Sequence, residues 1–281
     1  MKIGVVGAGL MGAEIALVFA LGGAEAVLID LDQSALERAI ARLSTLMEKG
    51  VGRGHYSVEQ QEALTLIRTA TDISALAECD LVTEAVFESL EAKQALLKTL
   101  DETCRADCVL ASNTSTLPIS TLSAALSPER RTRFLGTHYF SPVSRMQLVE
   151  VVPGFDTDRA ITAQMVETLR GIGKVPIVVK DVAGFAVNRL LHAMLIEAVK
   201  LVEDGVSTPE DLDLACKLGL GHPIGPFALM DVVSSSLCLQ VQEILHDTYG
   251  ERFRPPALLK QRVAAGYGAG RGRPGWLSQD S

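Results

Sequence analysis

The chain has 281 residues, 48% hydrophobic and 21% charged, with a formal net charge of −8. That length and balance belong to a globular protein with ample core, in one large or two ordinary domains, and exclude a disordered chain. The acidic surplus excludes nucleic acid as the main ligand, and no apolar run reaches membrane-spanning length without charges inside it.

Chain order gives the organisation. MKIGVVGAG enters a strand at once, which leaves no room for a signal or transit peptide and points to a cytoplasmic protein. IGVV (3–6), EAVLID (25–30), DLVTEAV (80–86), CVLAS (108–112), FLGTHY (134–139), QLVEVV (147–152) and PIVV (176–179) are short runs rich in Val, Ile and Leu. Such runs predict strands covered on both faces. Amphipathic stretches at 11–22, 33–48 and 89–102 lie between the first of them, the βαβ pattern of an α/β protein with a parallel, doubly wound sheet. Segment 31–70 is long for one crossover and contains GVGRG (50–54), so it predicts a helical hairpin inserted after the second strand.

After residue 182 the strand signals stop. Segments 184–204, 209–218, 235–248 and 256–265 predict helices, with a Gly-Pro turn at HPIGPF (222–227). The division is therefore 1–182 for the α/β domain and 183–281 for an all-helical C-terminal domain, whose tail, GYGAGRGRPGWLSQDS (266–281), reads as loop. The five cysteines follow no CxxC or zinc spacing; they are expected as reduced thiols, with no metal site.

VVGAGLMG (5–12) carries Gly7, Gly9 and Gly12 in GxGxxG spacing. The pattern alone is weak, but here it follows a strand and opens a helix, and the next strand ends in Asp30. Gly7 permits the tight turn, Gly9 the approach of a pyrophosphate, and Gly12 close helix–strand packing. The helix N-terminus at Leu10 and Met11 turns free N–H groups and a positive dipole end to the phosphates. Asp30 accepts from the adenosine ribose and repels a 2′-phosphate, which selects NAD over NADP. The alternative is a Gly-rich turn with no ligand.

THYFSPVSRMQLVEVV (137–152) places His138 and Glu150 inside apolar runs, where a charged residue ordinarily has a partner. If the two runs are neighbouring strands, these side chains face each other. Histidine titrates near neutrality and takes a hydroxyl proton as hydride leaves carbon, while a carboxylate on its other nitrogen steadies the imidazolium. A purely structural pair is the other reading. ASNTST (111–116) follows a strand, where Asn113 and Ser115 can donate to substrate or cofactor, cap the next helix, or both. Asn188, in GFAVNRLL, sits in an apolar helix at the domain junction as a substrate contact or a structural amide.

GAGLMG, DLVTEAVFES, ASNTST, THYFSPVSRMQLVEVV, KDVAGFAVNRLL and HPIGPFALMD, in this order over nearly the whole chain, resemble the L-3-hydroxyacyl-CoA dehydrogenase family, including the 3-hydroxybutyryl-CoA dehydrogenases. The resemblance implies a Rossmann domain with an inserted helical hairpin, a helical domain that forms a homodimer, and an active site in the cleft between them. It makes His138 the catalytic base, Glu150 its paired acid, and Ser115 and Asn188 substrate-orienting residues. It places Ala85, Glu88, Lys93 and Asn113 on the cofactor side and carries Lys49, on the hairpin, to the nucleotide of an acyl-CoA substrate. The hairpin helix supports that reading, since Leu36, Ile40 and Leu43 form one apolar stripe while Arg38, Arg42 and Lys49 gather on the other face. An ordinary solvated face fits Arg38 equally. The chain departs from the family pattern at Ser141, where most members have Asn, and in the tail, where Arg271 and Trp276 stand for a lysine and an aromatic.

The expected activity is NAD-dependent oxidation of an L-3-hydroxyacyl thioester to the 3-oxoacyl thioester. The rivals are a dehydrogenase of a free hydroxy acid or of a carrier-protein-bound hydroxyacyl group, and a non-catalytic NAD-binding protein.

Overall fold

The structure, a computed structural model, describes residues 1–268 and 274–277. The chain divides into two compact units, the first Met1–Val182 and the second from Ala183 onward. The first holds β1 (Lys2–Val6), α1 (Leu10–Leu21), β2 (Glu25–Ile29), α2 (Gln33–Gly52), β3 (Ile67–Ala70), β4 (Leu81–Glu84), α3 (Leu90–Thr103), β5 (Val109–Ser112), α4 (Ile119–Ser123), α5 (Pro128–Arg131), β6 (Phe134–Tyr139), β7 (Leu148–Pro153), α6 (Arg159–Gly171) and β8 (Val175–Val178).

The eight strands form one sheet in the order β3-β2-β1-β4-β5-β6-β7-β8, parallel except for β6 and β7. The chain winds outward from β1 in one direction and resumes at β4 in the other. Beyond the C-terminal ends of β1 and β4 lies the switch point where doubly wound sheets bind ligands. β6 and β7 are antiparallel because only residues 140–147 join them, too few for a crossover.

Strand and helix burial explain the layers. β1, β2, β4, β5 and β6 are buried almost end to end, as expected of strands covered on both faces. α1 is apolar nearly all round and runs through the core, with Ile15, Leu17 and Phe19 fully buried. α2 buries Leu36, Leu43 and Met47 along one stripe. The expected hairpin is asymmetric: α2 is its long arm, and the return arm is a 3₁₀ segment, Glu59–Leu66, packed on α1 and α2. It leads into β3, a strand the apolar pattern did not announce. At the sheet edge β3 buries only Ile67 fully and leaves Arg68 and Thr69 exposed.

The second unit holds α7 (Val187–Glu203), α8 (Pro209–Gly219), α9 (Pro226–Val233), α10 (Ser235–Tyr249) and α11 (Ala257–Ala264). Leu195, Val199, Phe227, Met230, Leu259 and Trp276 form one core cluster, and Ile196, Val241, Leu245 and Phe253 another. Thr208 and Pro209 open α8 as N-cap and N1, and Asp213 on α8 caps α9 by accepting from Phe227 N (2.7 Å) and Ala228 N (2.9 Å). Among the described residues, no single helix is long and apolar enough to cross a membrane.

Candidate active site

Strand register, not chance proximity, joins the catalytic candidates. His138 on β6 pairs directly with Glu150 on β7. Directly opposed residues of an antiparallel pair project to one face, and His138 Nδ1 lies 2.8 Å from Glu150 Oε2. His138 is 4% exposed and Glu150 fully buried, so water screens this contact little. An ionised carboxylate only accepts, so with Glu150 ionised Nδ1 is the donor in this contact. The Phe140 ring packs against the imidazole at a centroid distance of 4.6 Å.

The turn between the two strands is held from three sides. Glu14, buried on α1, accepts from Ser144 N (2.8 Å); Tyr56 Oη donates to Ser144 O (3.2 Å); Lys174, buried just before β8, donates to Val143 O and to Met146 O (2.9 Å). Burial lowers the Lys174 pKa, and the Glu14 charge opposes that fall. The sequence carries a trace of this device, since Glu14 interrupts an apolar helix as Glu150 interrupts an apolar strand. Ser141 is exposed at the start of the turn.

ASNTST lies directly after β5, as its motif position requires. Asn113 donates its N–H to Glu84 O (2.9 Å), and its side-chain oxygen accepts from Tyr139 N (3.0 Å), which fastens it beside His138 on the chain. Glu88 Oε1 gathers Ser115 N (2.9 Å), Thr116 N (2.9 Å), Thr116 Oγ1 (3.0 Å) and Thr114 Oγ1. Burial works to raise the Glu88 pKa, but the Lys93 charge and these hydrogen bonds outweigh it, and the pKa is lowered.

Lys93 is fully enclosed. Its ammonium is 2.9 Å from both oxygens of Glu84, 3.5 Å from Glu88 and 3.2 Å from Val86 O. It therefore supports the loop from behind. Glu84, which also accepts from Ser112 Oγ, is a site residue that motif reading passed over. The signal was present: Glu84 stands in DLVTEAV as Glu150 stands in LVEVV.

The glycine loop has the geometry a dinucleotide requires. Gly7 has φ +104°, and a Cβ there would sit 2.7 Å from Ala85 O; a Cβ on Gly12 would meet Gly7 O at 1.9 Å. Around Gly9 a Cβ would meet nothing within 4 Å, so the approach is open at the residue expected to admit a phosphate. Gly9 is the N-cap of α1 and provides no side-chain cap, which leaves the first N–H groups at Leu10 and Met11 to a ligand. Asp30 stands at the end of β2 and also anchors the loop, accepting from Ala8 N (2.8 Å) and Asp32 N (3.1 Å). Its oxygens keep lone pairs for further donors.

The remaining candidates are distributed. Lys49 is exposed near the C-terminal end of α2 and lines a surface cavity with Arg42 and Thr45. Asn188 lies in the first turn of α7, on the second unit. Trp276 is buried there, its ring 5.1 Å from Phe227 and its indole N–H on Ser235 Oγ (2.8 Å), whereas Arg271 lies outside the described residues.

The family model for the 3-hydroxyacyl-CoA dehydrogenase NAD binding domain matches residues 2–182, and that for the 3-hydroxyacyl-CoA dehydrogenase C-terminal domain matches 184–277. A protein of Deinococcus radiodurans named as a probable 3-hydroxybutyryl-CoA dehydrogenase is 40% identical over 271 residues, 95% of each chain. A 3-hydroxybutyryl-CoA dehydrogenase of Clostridioides difficile is 36% identical over 94% of each. The crystal structure of (S)-3-hydroxybutyryl-CoA dehydrogenase from Ralstonia eutropha superposes with a TM-score of 0.93 at 35% identity, covering 99% of both chains. The chain belongs to the 3-hydroxyacyl-CoA dehydrogenase family and is an NAD-dependent oxidoreductase.

Proposed function

We propose that the protein oxidises the 3-hydroxyl of an L-3-hydroxyacyl-CoA, 3-hydroxybutyryl-CoA or a close homologue, to the 3-oxoacyl-CoA. The observation that carries this reading is the buried His138–Glu150 pair, 2.8 Å between Nδ1 and Oε2. NAD supplies the hydride acceptor when bound. His138 Nε2 takes the hydroxyl proton, and Glu150 stabilises the imidazolium that results. In reduction the same imidazolium returns the proton to the 3-oxo group. Ser115 and Asn188 orient the reacting oxygen or the thioester, and Lys49 meets the coenzyme A nucleotide. Gly7, Gly9, Leu10, Met11, Gly12 and Asp30 hold the adenosine and diphosphate half of NAD. Ala85, Glu88 and Asn113 border the nicotinamide half, with Lys93 fixing Glu88.

The second unit is the homodimer surface in this reading. Leu190, Leu214, Leu218, Leu220, Val232 and Leu237 are exposed there, and a dimer would cover them. A reducing, cytoplasmic setting suits five free cysteines, four of them buried.

NADH oxidation with acetoacetyl-CoA, with free acetoacetate and acetoacetyl carrier protein as parallel substrates, tests the assignment. Turnover on the CoA ester far above both others is expected. Preference for the free acid or the carrier-bound ester transfers the activity to that substrate, and no turnover on any of the three sinks the dehydrogenase reading.

A further inference from the structure

The glycine pattern leaves a dinucleotide's diphosphate to backbone N–H groups and a helix dipole. The structure adds a side chain from another element. Arg42, on α2, reaches the loop and donates through Nη2 to Gly9 O (2.9 Å) and Ala8 O (3.4 Å). Gly9 O already receives Ala13 N–H at 3.2 Å, the first helical bond of α1. Gly9 O therefore does not depend on the guanidinium for a hydrogen-bond donor; what the guanidinium adds there is charge.

That charge has no ion-pair partner among the described residues. Arg38, on the same helix, is paired with Asp32 at 3.2 Å, but no carboxylate lies within ion-pair range of Arg42 among the described residues. Its Nε is buried without a hydrogen-bond partner among them. An unpaired cation fastened to the N-cap residue of an uncapped helix strengthens the positive end of that helix, at the place where Gly9 leaves open space.

We propose that Arg42 is the cation of the dinucleotide site, held by the loop carbonyls so that a fixed positive charge stands beside the diphosphate. The proposal rests on NAD as the cofactor and adds a residue from the hairpin to its binding. Arg42 also lines, with Ala41, Thr45, Leu46 and Lys49, a cavity of about 500 Å³, so the hairpin face expected to meet the substrate nucleotide and the cofactor loop share this side chain.

Equilibrium binding separates this role from a mere tether. NADH, ADP-ribose and adenosine are titrated into the wild-type protein, Arg42→Met and Arg42→Lys, at low and high salt. Arg42→Met is expected to weaken NADH and ADP-ribose about tenfold, the range of one charge-assisted contact, and to leave adenosine within about twofold. Arg42→Lys should recover most of the loss, and the gap between wild type and Arg42→Met should narrow at high salt. NADH binding unchanged in Arg42→Met overturns the proposal. So does adenosine weakened as much as ADP-ribose, the mark of a disordered or unfolded loop, and so does Arg42→Lys as weak as Arg42→Met. A wild-type protein that binds no NADH sinks the dinucleotide reading itself, and this inference with it.

Discussion

His138 and Glu150 each sit where an unpaired ionised group would cost several kcal/mol, and each is made tolerable by the other. In the proposed mechanism the carboxylate holds Nδ1–H and Nε2 transfers the proton. His138→Gln keeps a polar side chain but has no titratable base, so kcat should fall by about 10²- to 10⁴-fold while NADH affinity changes little. Stopped-flow turnover and NADH titration check both halves, and turnover near the wild-type rate would show that the imidazole is structural. The polar signals at this scale were legible in part. Histidine or glutamate inside an apolar run marked His138 and Glu150, and the same sign stood unread at Glu14 and Glu84. Arg42 had no such mark, because an arginine on the polar face of a helix is ordinary and only the fold brings it to Gly9.

At the scale of elements, the turn from residue 140 to 147 is the connection most dependent on side chains. It carries Phe140 against the His138 ring and is held by Glu14, Tyr56 and Lys174. Glu14→Ala removes the acceptor for Ser144 N and the charge that opposes the fall of the Lys174 pKa, for a loss of about 1–3 kcal/mol. Replacing Lys174 by Met in the same chain removes the ammonium as well. The double variant should therefore unfold at a higher urea concentration than additivity of the two single variants allows. Strictly additive midpoints would mean that the two charges do not interact. The hairpin teaches the complementary lesson. The apolar stripe of α2 was readable because a helix buries one face over many turns. The 3₁₀ return arm and β3 were not, since short elements at an edge bury too little to leave a periodic trace.

For the molecule as a whole, acid is the weak direction, and His192 is one reason. It is buried on α7, its Nδ1 has no hydrogen-bond partner among the described residues, and burial pushes its pKa down to about 4. A depressed histidine pKa means that the folded state resists a proton the unfolded state accepts. The stability at stake is intact above the ordinary value of 6.5 and drains away as pH falls from 6.5 towards 4. Between pH 7.5 and pH 5 this residue should remove about 2 kcal/mol. Thermal unfolding of the wild type and His192→Leu at the two pH values tests it. The variant should lose less stability on acidification, and equal losses would show that His192 is not the sensitive group.

What the sequence determined by itself was whatever repeats along the chain: the α/β alternation, the glycine spacing before a helix, and the polar residues inside apolar runs. These are local because burial imposes its period on neighbouring residues. What only the tertiary structure decided was which distant groups share a charge or a proton. Register set His138 against Glu150, α3 folded Lys93 between Glu84 and Glu88, and α2 carried Arg42 to the loop. Such contacts leave no period in the chain, because they depend on strand order and helix packing rather than on the neighbours of any one residue.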